Sequence, residues 1–343
     1  MNVSGIRREL EIAKSTGAVV CLVGPPGVGK SSVVREYADS VGADFAIWHV
    51  CTWDITNPKG LPAADLANGR GVWLPYGDML QAIEAKRHTV ICVDDLGLTI
   101  PALQGPLMQI LGPARQIGEH KVSEFVQFVC TTNDLGDKSG VSVPFAALKD
   151  RMRLINFRVS LDAVTDWFVS HGADDRITGF LNFRPEFVHS ISPVNGWRQD
   201  GATPRSWYEL SKRLQASEPD AGDEIEVCSA DIGEAIAAEF VGFMRVYREL
   251  PDFDDIFTHP DKVPVSADLS TRFAVAAALA GRATVDNIGA YETYLKRIKD
   301  SSGRSQREFR LLFWRMAVTR DKSLRTTKEY VKAASDFKDI SMS

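Results

Sequence analysis

The sequence GPPGVGKSS at residues 24–32 decides the fold of the first half of this chain, because it matches the pattern G-x-x-x-x-G-K-[ST]. The short apolar run at 18–23 precedes it and is typical of a buried strand. After it, apolar residues recur at helical spacing from 33 to 41, which predicts a helix. A strand, a glycine-rich loop and a helix in this order are the context of a phosphate-binding loop and make a chance glycine-rich turn a poor explanation.

The chemistry of this loop predicts a bound nucleoside triphosphate. Glycines let successive backbone N–H groups converge on phosphate oxygens, and the helix after the loop adds the positive end of its dipole. Lys30 is expected to reach the β- and γ-phosphates, and the Ser31 hydroxyl is expected to bind Mg²⁺. We predict that ATP is held by the whole loop, namely Gly24, Pro25, Pro26, Gly27, Val28, Gly29, Lys30, Ser31 and Ser32.

Two carboxylates stand at the end of an apolar strand that runs from 89 to 94, where Asp94 is followed by Asp95. Next to a phosphate-binding loop, such a strand end predicts that Asp94 lies beside the Mg²⁺. Asp95 is then placed to accept a proton from the attacking water, although acids also follow strands simply to start a turn. A further strand ends in Thr-Thr-Asn, and the Asn133 amide is a weaker candidate for orienting that water, since Asn favours turns in any case.

The alternation of short apolar strands with helical patterns over residues 1–158 predicts a P-loop α/β domain, with three αβα layers around a mostly parallel five-stranded sheet. The strands are expected at 18–23, 45–51, 89–94, 126–131 and 153–159. Helical patterns dominate from 159 onward, so we predict a helical lid at 159–220 and a C-terminal helical extension at 221–343. The second boundary is expected in the polar, acidic segment 218–229. The later helices are expected at 230–249, 269–282, 284–299, 305–320 and 325–337, as a packed module rather than a binding groove.

Two excursions leave this regular pattern. Residues 52–77 are irregular and rich in proline, glycine and asparagine, and they are too long to be only a connector. Trp53, Leu61 and Trp73 are apolar side chains on this stretch, and they either contact a partner or pack against the domain's own surface. The second excursion, at 115–122, alternates as a hairpin does.

The composition is that of an ordinary globular protein, with 44% hydrophobic and 25% charged residues among 343. The length suggests two or three domains. A formal net charge of −5 provides no basic field, so nucleic acid is not favoured as a partner. No apolar run approaches the ~20 residues of a membrane span, and the N-terminus lacks a signal pattern, so we expect no membrane contact and a cytoplasmic protein.

Cysteine and histidine patterns predict neither a structural metal site nor a disulfide. The five cysteines form no C-x-x-C pair, and the six histidines are dispersed. Four of the cysteines lie in apolar runs and are expected to be buried, reduced thiols. These four are Cys21, Cys51, Cys92 and Cys130.

The order of these segments resembles the AAA+ ATPases, and within them the MoxR-like and dynein-related (AAA_5-type) bacterial and phage members. The resemblance rests on GPPGVGKS at 24–31, VICVDD at 90–95, CTTND at 130–134, ALKDRM at 147–152 and TPRSW at 203–207. It covers about residues 15–215 and is vaguer beyond 230. In the family these segments are the Walker A loop, the Walker B strand, sensor 1, the arginine finger and sensor 2. The resemblance therefore implies roles for Lys30, Ser31, Asp94, Asp95, Asn133, Arg151 and Arg205.

The two arginines of this set are implied to complete the site from outside the sheet. Arg205 follows Thr203 and a proline suited to a first helical turn, so its guanidinium is expected at a fixed helix start, where it would sense the γ-phosphate. Arg151 is implied to reach a neighbouring subunit's nucleotide, and Arg153 remains an alternative for this role. An arginine supplied in trans is worth roughly 10³–10⁵ in rate in related chemistry, so hydrolysis would require an oligomer.

The end of the Walker B strand departs from the family pattern. Most of these ATPases have Asp-Glu there, whereas this chain has Asp94-Asp95. Asp is shorter than Glu by one C–C bond, about 1.5 Å. Because a misplacement of ~1 Å can cost on the order of 10²-fold, we predict an ATPase that hydrolyses ATP slowly.

The resemblance implies a homo-oligomer, usually a hexameric ring, in which ATP hydrolysis moves the lid against the core and remodels a protein substrate. It also implies a partner that contains a von Willebrand factor A domain. Two alternatives stay open. One is an assembly scaffold that ATP binding controls, and the other is a DNA-associated motor or loader, which the acidic charge disfavours. A small-molecule kinase is a weaker alternative, because the two arginines argue against it.

Overall fold

The chain forms two units, residues 1–158 and 159–343. The computed structural model describes residues 3–134, 146–191, 201–299 and 306–337. The assignment of a lid at 159–220 and an extension at 221–343 stays a prediction.

The first unit is built around a parallel sheet. In chain order it contains α1 (Val3–Thr16), β1 (Val19–Val23), α2 (Lys30–Ser40), β2 (Asp44–His49), β3 (Leu61–Asp65), β4 (Arg70–Leu74), α3 (Asp78–Ile83), β5 (Thr89–Asp94), α4 (Pro101–Leu111), β6 (Gln116–Ile117), β7 (His120–Lys121), β8 (Val126–Thr132), α5 (Ala146–Lys149) and β9 (Met152–Asn156). Five strands pair in the order β2-β5-β8-β1-β9, and each pair is parallel. The predicted five-stranded sheet is therefore confirmed.

The sheet brings the ends of its central strands together. Strands β5 and β8 are buried along almost their whole length, as strands are when helices cover both faces of a sheet. Because parallel neighbours point the same way, the carboxyl ends of β1, β5 and β8 lie at one edge, where ligands bind in sheets of this kind. The loop at 24–32 leaves β1 at this edge.

The sequence predicted an irregular stretch at 52–77, and this prediction is wrong. The stretch contains the antiparallel hairpin β3–β4, in which Leu61 pairs with Leu74. Of the two alternatives for Trp53, partner contact or packing against its own domain, the structure shows packing, since the residue is only 7% exposed. Its ring lies 5.3 Å from that of Trp48, within the core of the first unit. The short 3₁₀ turn at 50–52 directs Trp53 inward before the hairpin begins.

The hairpin itself carries exposed apolar side chains. Leu61 is 52% exposed, Trp73 is 38% exposed, and Leu66 at the tip is 89% exposed. The predicted second hairpin is confirmed as β6–β7, and its His120 Nε2 lies 3.2 Å from the carbonyl oxygen of Trp73. The two hairpins therefore lie side by side, and a partner for either one stays a prediction.

The second unit is almost entirely helical in its described part. It contains α6 (Leu161–Ser170), α7 (Asp175–Phe183), β10 (Ser190–Ile191), β11 (Gly201–Ala202), α8 (Pro204–Ala216), α9 (Glu224–Ile232), α10 (Glu234–Arg248), α11 (Phe253–Thr258), α12 (Leu269–Gly281), α13 (Ile288–Lys296), α14 (Arg307–Arg320) and α15 (Lys328–Asp336). The helix predicted at 230–249 is two helices, because Gly233 adopts φ 79° between α9 and α10. Within the polar segment 218–229, α9 already begins at Glu224.

The apolar stripes of these helices pack into two cores, as predicted for a helical module. Phe240 and Met244 of α10 lie in one core with Trp207 of α8. Phe313 and Trp314 of α14 lie in the other. Because these side chains are fully buried, they belong to the core of the unit rather than to a binding groove.

The predicted burial of the cysteines holds with one exception. Cys21, Cys92 and Cys130 are buried, but Cys51 is exposed. Strand β2 ends at His49, so Cys51 falls on the 3₁₀ turn outside the sheet. In the described ranges, no helix has both the length and the apolar character needed to cross a membrane.

Candidate active site

The loop at 24–32 has the backbone shape that phosphate binding needs. Gly27 and Gly29 adopt φ 72° and φ 90°, in the left-handed region that glycine enters without a steric cost. Gly29 directly precedes α2, so the first free N–H groups of that helix open toward the loop. At the other end, a Cβ on Gly24 would lie 2.6 Å from the carbonyl oxygen of Phe157, which leaves no room for a side chain.

Lys30 is the buried cation of the loop, with 7% of the residue exposed. Its Nζ donates to the carbonyl oxygens of Gly24 at 2.9 Å and Pro25 at 2.7 Å. It also donates to Oδ1 of Asn133 at 2.8 Å, which brings the predicted sensor amide to the loop. These three bonds hold the ammonium at the point where the loop curls, next to the ends of β1 and β8.

Asp94 ends β5 under the start of α2. Its Oδ1 accepts a hydrogen bond from the Ser31 hydroxyl at 2.7 Å and another from the Thr131 hydroxyl. Its Oδ2 lies 3.8 Å from Nδ1 of His49, a distance that is too long for a hydrogen bond. The structure therefore brings together the two residues predicted to hold Mg²⁺, Ser31 and Asp94.

Asp95, the predicted base, has an unusual backbone. It adopts φ 52° and ψ 42°, and its N–H donates to the Thr131 hydroxyl oxygen at 3.4 Å. A 3₁₀ turn at 96–98 follows at once. Asp95 therefore leaves the strand in a left-handed turn at the same edge as the loop.

Thr131 and His49 are site residues that the sequence analysis missed. Thr131 appeared there only as part of the strand that leads to Asn133, and its hydroxyl contacts depend on the pairing of β8 with β5. His49 lies beside Asp94 because β2 pairs with β5 in that register. A polar residue at the carboxyl end of a strand next to Asp94 was the available signal, but it could be used only once the strand order was known.

The donor groups at this edge fit a triphosphate with Mg²⁺. The loop supplies backbone N–H groups, a helix start and the Lys30 ammonium, which are the groups that bind phosphate oxygens. The Ser31 hydroxyl and the Asp94 carboxylate supply the oxygen ligands that Mg²⁺ prefers. Val28 is almost fully buried and Ser32 is exposed, so the two flank the loop without adding charge.

The thiols near this edge are not nucleophiles. Burial raises the pKa of Cys21 to about 12, although the charge of Lys30 lowers it in part. Burial also raises the pKa of Cys92, and the charges of Asp94 and Asp95 raise it further. Both thiols therefore stay protonated at neutral pH, which excludes covalent catalysis by them.

The two arginines at the start of β9 have different surroundings. Arg153 Nη2 pairs with Oε2 of Glu9 at 2.8 Å. Arg151 is exposed and donates to the carbonyl oxygen of Ala147, and within the described ranges it pairs with no carboxylate. Its side chain lies against Gly112, where an added Cβ would meet Nε at 3.0 Å. Both arginines contact their own unit, but only Arg153 is paired there with a carboxylate. The role of Arg151 at a neighbouring copy's nucleotide, with Arg153 as the alternative, stays a prediction.

Arg205 lies in the second unit, in the first turn of α8. Thr203 Oγ1 accepts from the Ser206 N–H at 3.2 Å, and Ser206 Oγ accepts from the Thr203 N–H at 2.9 Å. This reciprocal cap fixes the helix start that the sequence predicted. Arg205 is exposed there, and its role at the nucleotide stays a prediction.

Parts of this chain are similar to known proteins. Residues 19–152 match the model of the AAA domain (dynein-related subfamily). Lon protease 2 of Desulfotalea psychrophila is 29% identical over 164 residues, which are 42% of this chain and 19% of that protein. Lon protease 4 of Sorangium cellulosum is 24% identical over 297 residues, which are 79% of this chain and 32% of that protein. The matched part of this chain thus spans a fifth to a third of these relatives.

Solved structures are also similar to this chain. The Thermotoga maritima RuvB Holliday junction branch migration motor is 18% identical, with a TM-score of 0.40, and the match covers 89% of this chain and 90% of that one.

The family match contains the loop at 24–32, the Asp94-Asp95 pair, Asn133 and Arg151, and it ends before Arg205. The structure has a parallel sheet, a loop that leaves β1 and a carboxylate at the end of β5 beside that loop. Residues 19–152 of this chain are therefore an AAA domain of the dynein-related subfamily.

Proposed function

We propose that this chain binds ATP with Mg²⁺ and hydrolyses it. The observation that carries the proposal is the pairing of Ser31 and Asp94 directly beneath the loop that buries Lys30. When bound, Mg²⁺ neutralises charge on the β- and γ-phosphates. Lys30 binds and orients the phosphates, and Asn133 positions the Lys30 ammonium through its amide oxygen. Asp95 accepts the proton of the attacking water.

Hydrolysis is slow in this proposal and requires neighbouring copies. The shorter Asp95 carboxylate lies farther from the reacting centre than a Glu carboxylate would. Arg151 completes the site of the next copy, since it is exposed and has no carboxylate partner within the described residues. The assembly is a homo-oligomer, and the family resemblance implies a hexameric ring. Arg205 senses the γ-phosphate. These roles are proposed from the family resemblance, and the match to the AAA domain includes Arg151 but not Arg205.

The work done with this energy is the remodelling of a protein partner. Support comes from hairpin β3–β4, which exposes Leu61, Leu66 and Trp73 instead of burying them. Leu61 pairs with Leu74 across the hairpin, and both are 52% exposed, so the two lie together on one face. Neighbouring exposed apolar side chains are typical of surfaces that contact other proteins. A partner with a von Willebrand factor A domain is the specific candidate that the resemblance supplies.

The Asp95→Asn variant tests this function. It is expected to bind ATP like the parent protein but to hydrolyse it at least about 10²-fold more slowly, because an amide cannot accept the proton. Held in the ATP state, it should retain a protein partner in affinity capture, and the retention should require ATP. Phosphate release, binding of a fluorescent ATP analogue and mass spectrometry of the captured material are the measurements.

The controls separate the proposed function from its alternatives. Lys30→Ala should lose ATP binding and capture together. Leu66→Ser should keep ATP binding and hydrolysis but lose the captured protein. Capture of nucleic acid that collapses steeply with salt would replace the proposal with a DNA-associated motor. If Asp95→Asn keeps full biological activity without hydrolysing ATP, the protein acts as an assembly scaffold that ATP binding controls. If Asp95→Asn hydrolyses ATP as fast as the parent protein, Asp95 is not the base.

A further inference from the structure

Thr131 occupies a position that links the two adjacent carboxylate residues of the site. It lies near the end of β8 and is fully buried. Strands β5 and β8 are parallel neighbours with Val93 opposite Cys130, so the next residues along each strand, Asp94 and Thr131, lie side by side. A buried hydroxyl must find hydrogen-bond partners, and this one finds both of them in the Asp94-Asp95 pair.

The hydroxyl of Thr131 uses its donor and its acceptor on different residues. It donates to Oδ1 of Asp94 and accepts the backbone N–H of Asp95 at 3.4 Å. A threonine hydroxyl has one donor and two acceptor positions, so a single side chain can make both contacts. The Ser31 hydroxyl donates to the same Oδ1 at 2.7 Å. Two hydroxyl donors on one oxygen fix the rotation of the Asp94 carboxylate.

The second contact supports a backbone conformation that needs support. Among the described non-glycine residues, only Asp95 and Arg115 have positive φ. Left-handed backbone is disfavoured for residues with a Cβ and persists where surrounding contacts hold it. At Asp95 those contacts include the Thr131 hydroxyl and the 3₁₀ turn in which the Leu98 N–H donates to the Asp95 carbonyl oxygen at 2.9 Å.

We infer that Thr131 is a positioning residue whose buried hydroxyl sets both the carboxylate of Asp94 toward Mg²⁺ and the left-handed turn that directs Asp95. The inference rests on the proposed function, since it assigns Asp94 to the metal and Asp95 to the water. Neither role needs Thr131 to touch the nucleotide. Loss of the hydroxyl should therefore weaken the dependence on Mg²⁺ and the rate of hydrolysis, while Mg²⁺-free nucleotide binding by the loop remains.

A pair of substitutions at this position separates positioning from a general effect on folding. Thr131→Val keeps the shape but removes the hydroxyl, whereas Thr131→Ser keeps the hydroxyl but removes a buried methyl group. Both are expected to lower the midpoint of thermal unfolding to a similar extent. Thr131→Val should need about tenfold more Mg²⁺ for half-maximal binding of a fluorescent ATP analogue, and its kcat should fall by about 10²-fold, as expected for a displacement of ~1 Å. Thr131→Ser should stay within about threefold of the parent protein in both measurements, since its hydroxyl can make the same contacts.

A matched control comes from the opposite end of β5. Thr89 is also buried in the sheet, and its hydroxyl donates to the carbonyl oxygen of Arg87 at 2.9 Å, away from the site. Thr89→Val makes the same chemical change and should leave the Mg²⁺ requirement and kcat unchanged. If Thr131→Val does not fold, Thr131→Ala carries the same comparison with Thr131→Ser.

The outcomes distinguish this inference from the proposed function. A parent protein that shows neither Mg²⁺-dependent binding of the ATP analogue nor phosphate release would overturn the proposed function itself. A parent protein that hydrolyses ATP while Thr131→Val matches it in Mg²⁺ requirement and kcat would overturn only the role of Thr131. Equal losses in Thr131→Val and Thr131→Ser that follow their unfolding midpoints would show a structural residue instead.

Discussion

At the scale of single residues, Asp95 has a short side chain, which reduces its reach toward the attacking water, and a left-handed backbone, which favours Asp over Glu. Asp95 is one C–C bond shorter than the glutamate common at this position in AAA+ proteins, yet it adopts a left-handed backbone at φ 52°. Asp tolerates this region better than longer side chains do, because its short polar group can bond locally. The chain therefore combines a shorter reach with a turn that suits Asp.

The Asp95→Glu substitution tests which effect governs the rate. The added reach of about 1.5 Å should raise kcat by roughly tenfold, because the carboxylate comes closer to the attacking water. Because Glu tolerates the left-handed backbone at this position less well than Asp does, the variant should lose about 1 kcal/mol of unfolding free energy relative to the parent protein. Steady-state phosphate release and urea unfolding are the measurements. A kcat below that of the parent protein, with ATP binding intact, would show that the turn and not the reach sets the rate.

Much of the site could be predicted from sequence at this scale. Lys30, Ser31 and Asp94 stand in local patterns whose chemistry is known from the spacing alone, and the structure brings them together with Asn133. Thr131 could not be found in this way, since its contacts with Asp94 and Asp95 depend on which strands are neighbours and in which register.

At the scale of elements, the loop is held where three strands end. The Gly24 N–H donates to the carbonyl oxygen of Thr132 at 3.3 Å, and the Phe157 N–H donates to that of Val23 at 2.7 Å. The loop therefore leaves β1 between the ends of β8 and β9, with the Phe157 carbonyl oxygen close to Gly24. The glycine at this position is required by the close approach of another backbone and not by a special φ.

The Gly24→Ala substitution should displace the loop. Its Cβ would lie 2.6 Å from a backbone oxygen, so either the loop or the end of β9 must move. We expect at least about tenfold weaker ATP binding and a loss of about 1–3 kcal/mol in unfolding free energy, the usual cost of overpacking. Isothermal titration and urea unfolding measure the two effects.

A second glycine provides the matched control. Gly105 lies inside α4, and an added Cβ there meets nothing within 4 Å. Gly105→Ala should raise the unfolding free energy by about 0.5–1 kcal/mol and leave ATP binding unchanged. Equal ATP affinity in Gly24→Ala and Gly105→Ala would mean that the contact with Phe157 does not position the loop.

The sequence patterns predicted the strands of the parallel sheet, but they missed the helix break at Gly233 and the hairpin β3–β4. The helix predicted at 230–249 keeps its apolar spacing across Gly233, so the spacing gave no sign of the break that the positive φ of this residue creates. Hairpin β3–β4 escaped prediction because its strands are only five residues long, and β3 contains a proline and two alanines, which are uncommon in strands. Gly60 and Gly69, both with positive φ, directly precede its two strands.

At the scale of the whole molecule, the two units differ in how far local sequence determines them. In the first unit, one local motif predicts β1, the phosphate-binding loop and α2, and the alternation of apolar strands with helices predicts a parallel sheet. In the second unit, contacts between distant residues join the helices. Arg315 of α14 binds Asp166 of α6 through two bonds of 2.6 and 2.8 Å, across 149 positions of the chain. No local pattern predicts such a pair.

The proposed sharing of sites between copies is a property of the assembly and is tested by mixing two inactive variants. Lys30→Ala should lose its own nucleotide site, and Arg151→Ala should lose about 10³-fold or more in rate because the trans arginine is missing. In a ring of mixed copies, an intact Lys30 can face an intact Arg151 of the neighbouring copy. In an equal mixture about one head-to-tail interface in four combines them, so about a quarter of the parent rate should return.

Arg153→Ala is the matched control for this experiment. Arg153 is held by Glu9 at 2.8 Å, so its removal should leave the rate within about twofold of the parent protein and cost less than about 1 kcal/mol in stability. If Arg153→Ala is inactive and Arg151→Ala is not, the trans role belongs to Arg153. If the mixture of Lys30→Ala and Arg151→Ala stays inactive although the copies assemble, the arginine acts within its own copy. A rate per copy that does not fall on dilution to the monomer would likewise show that each copy holds a complete site.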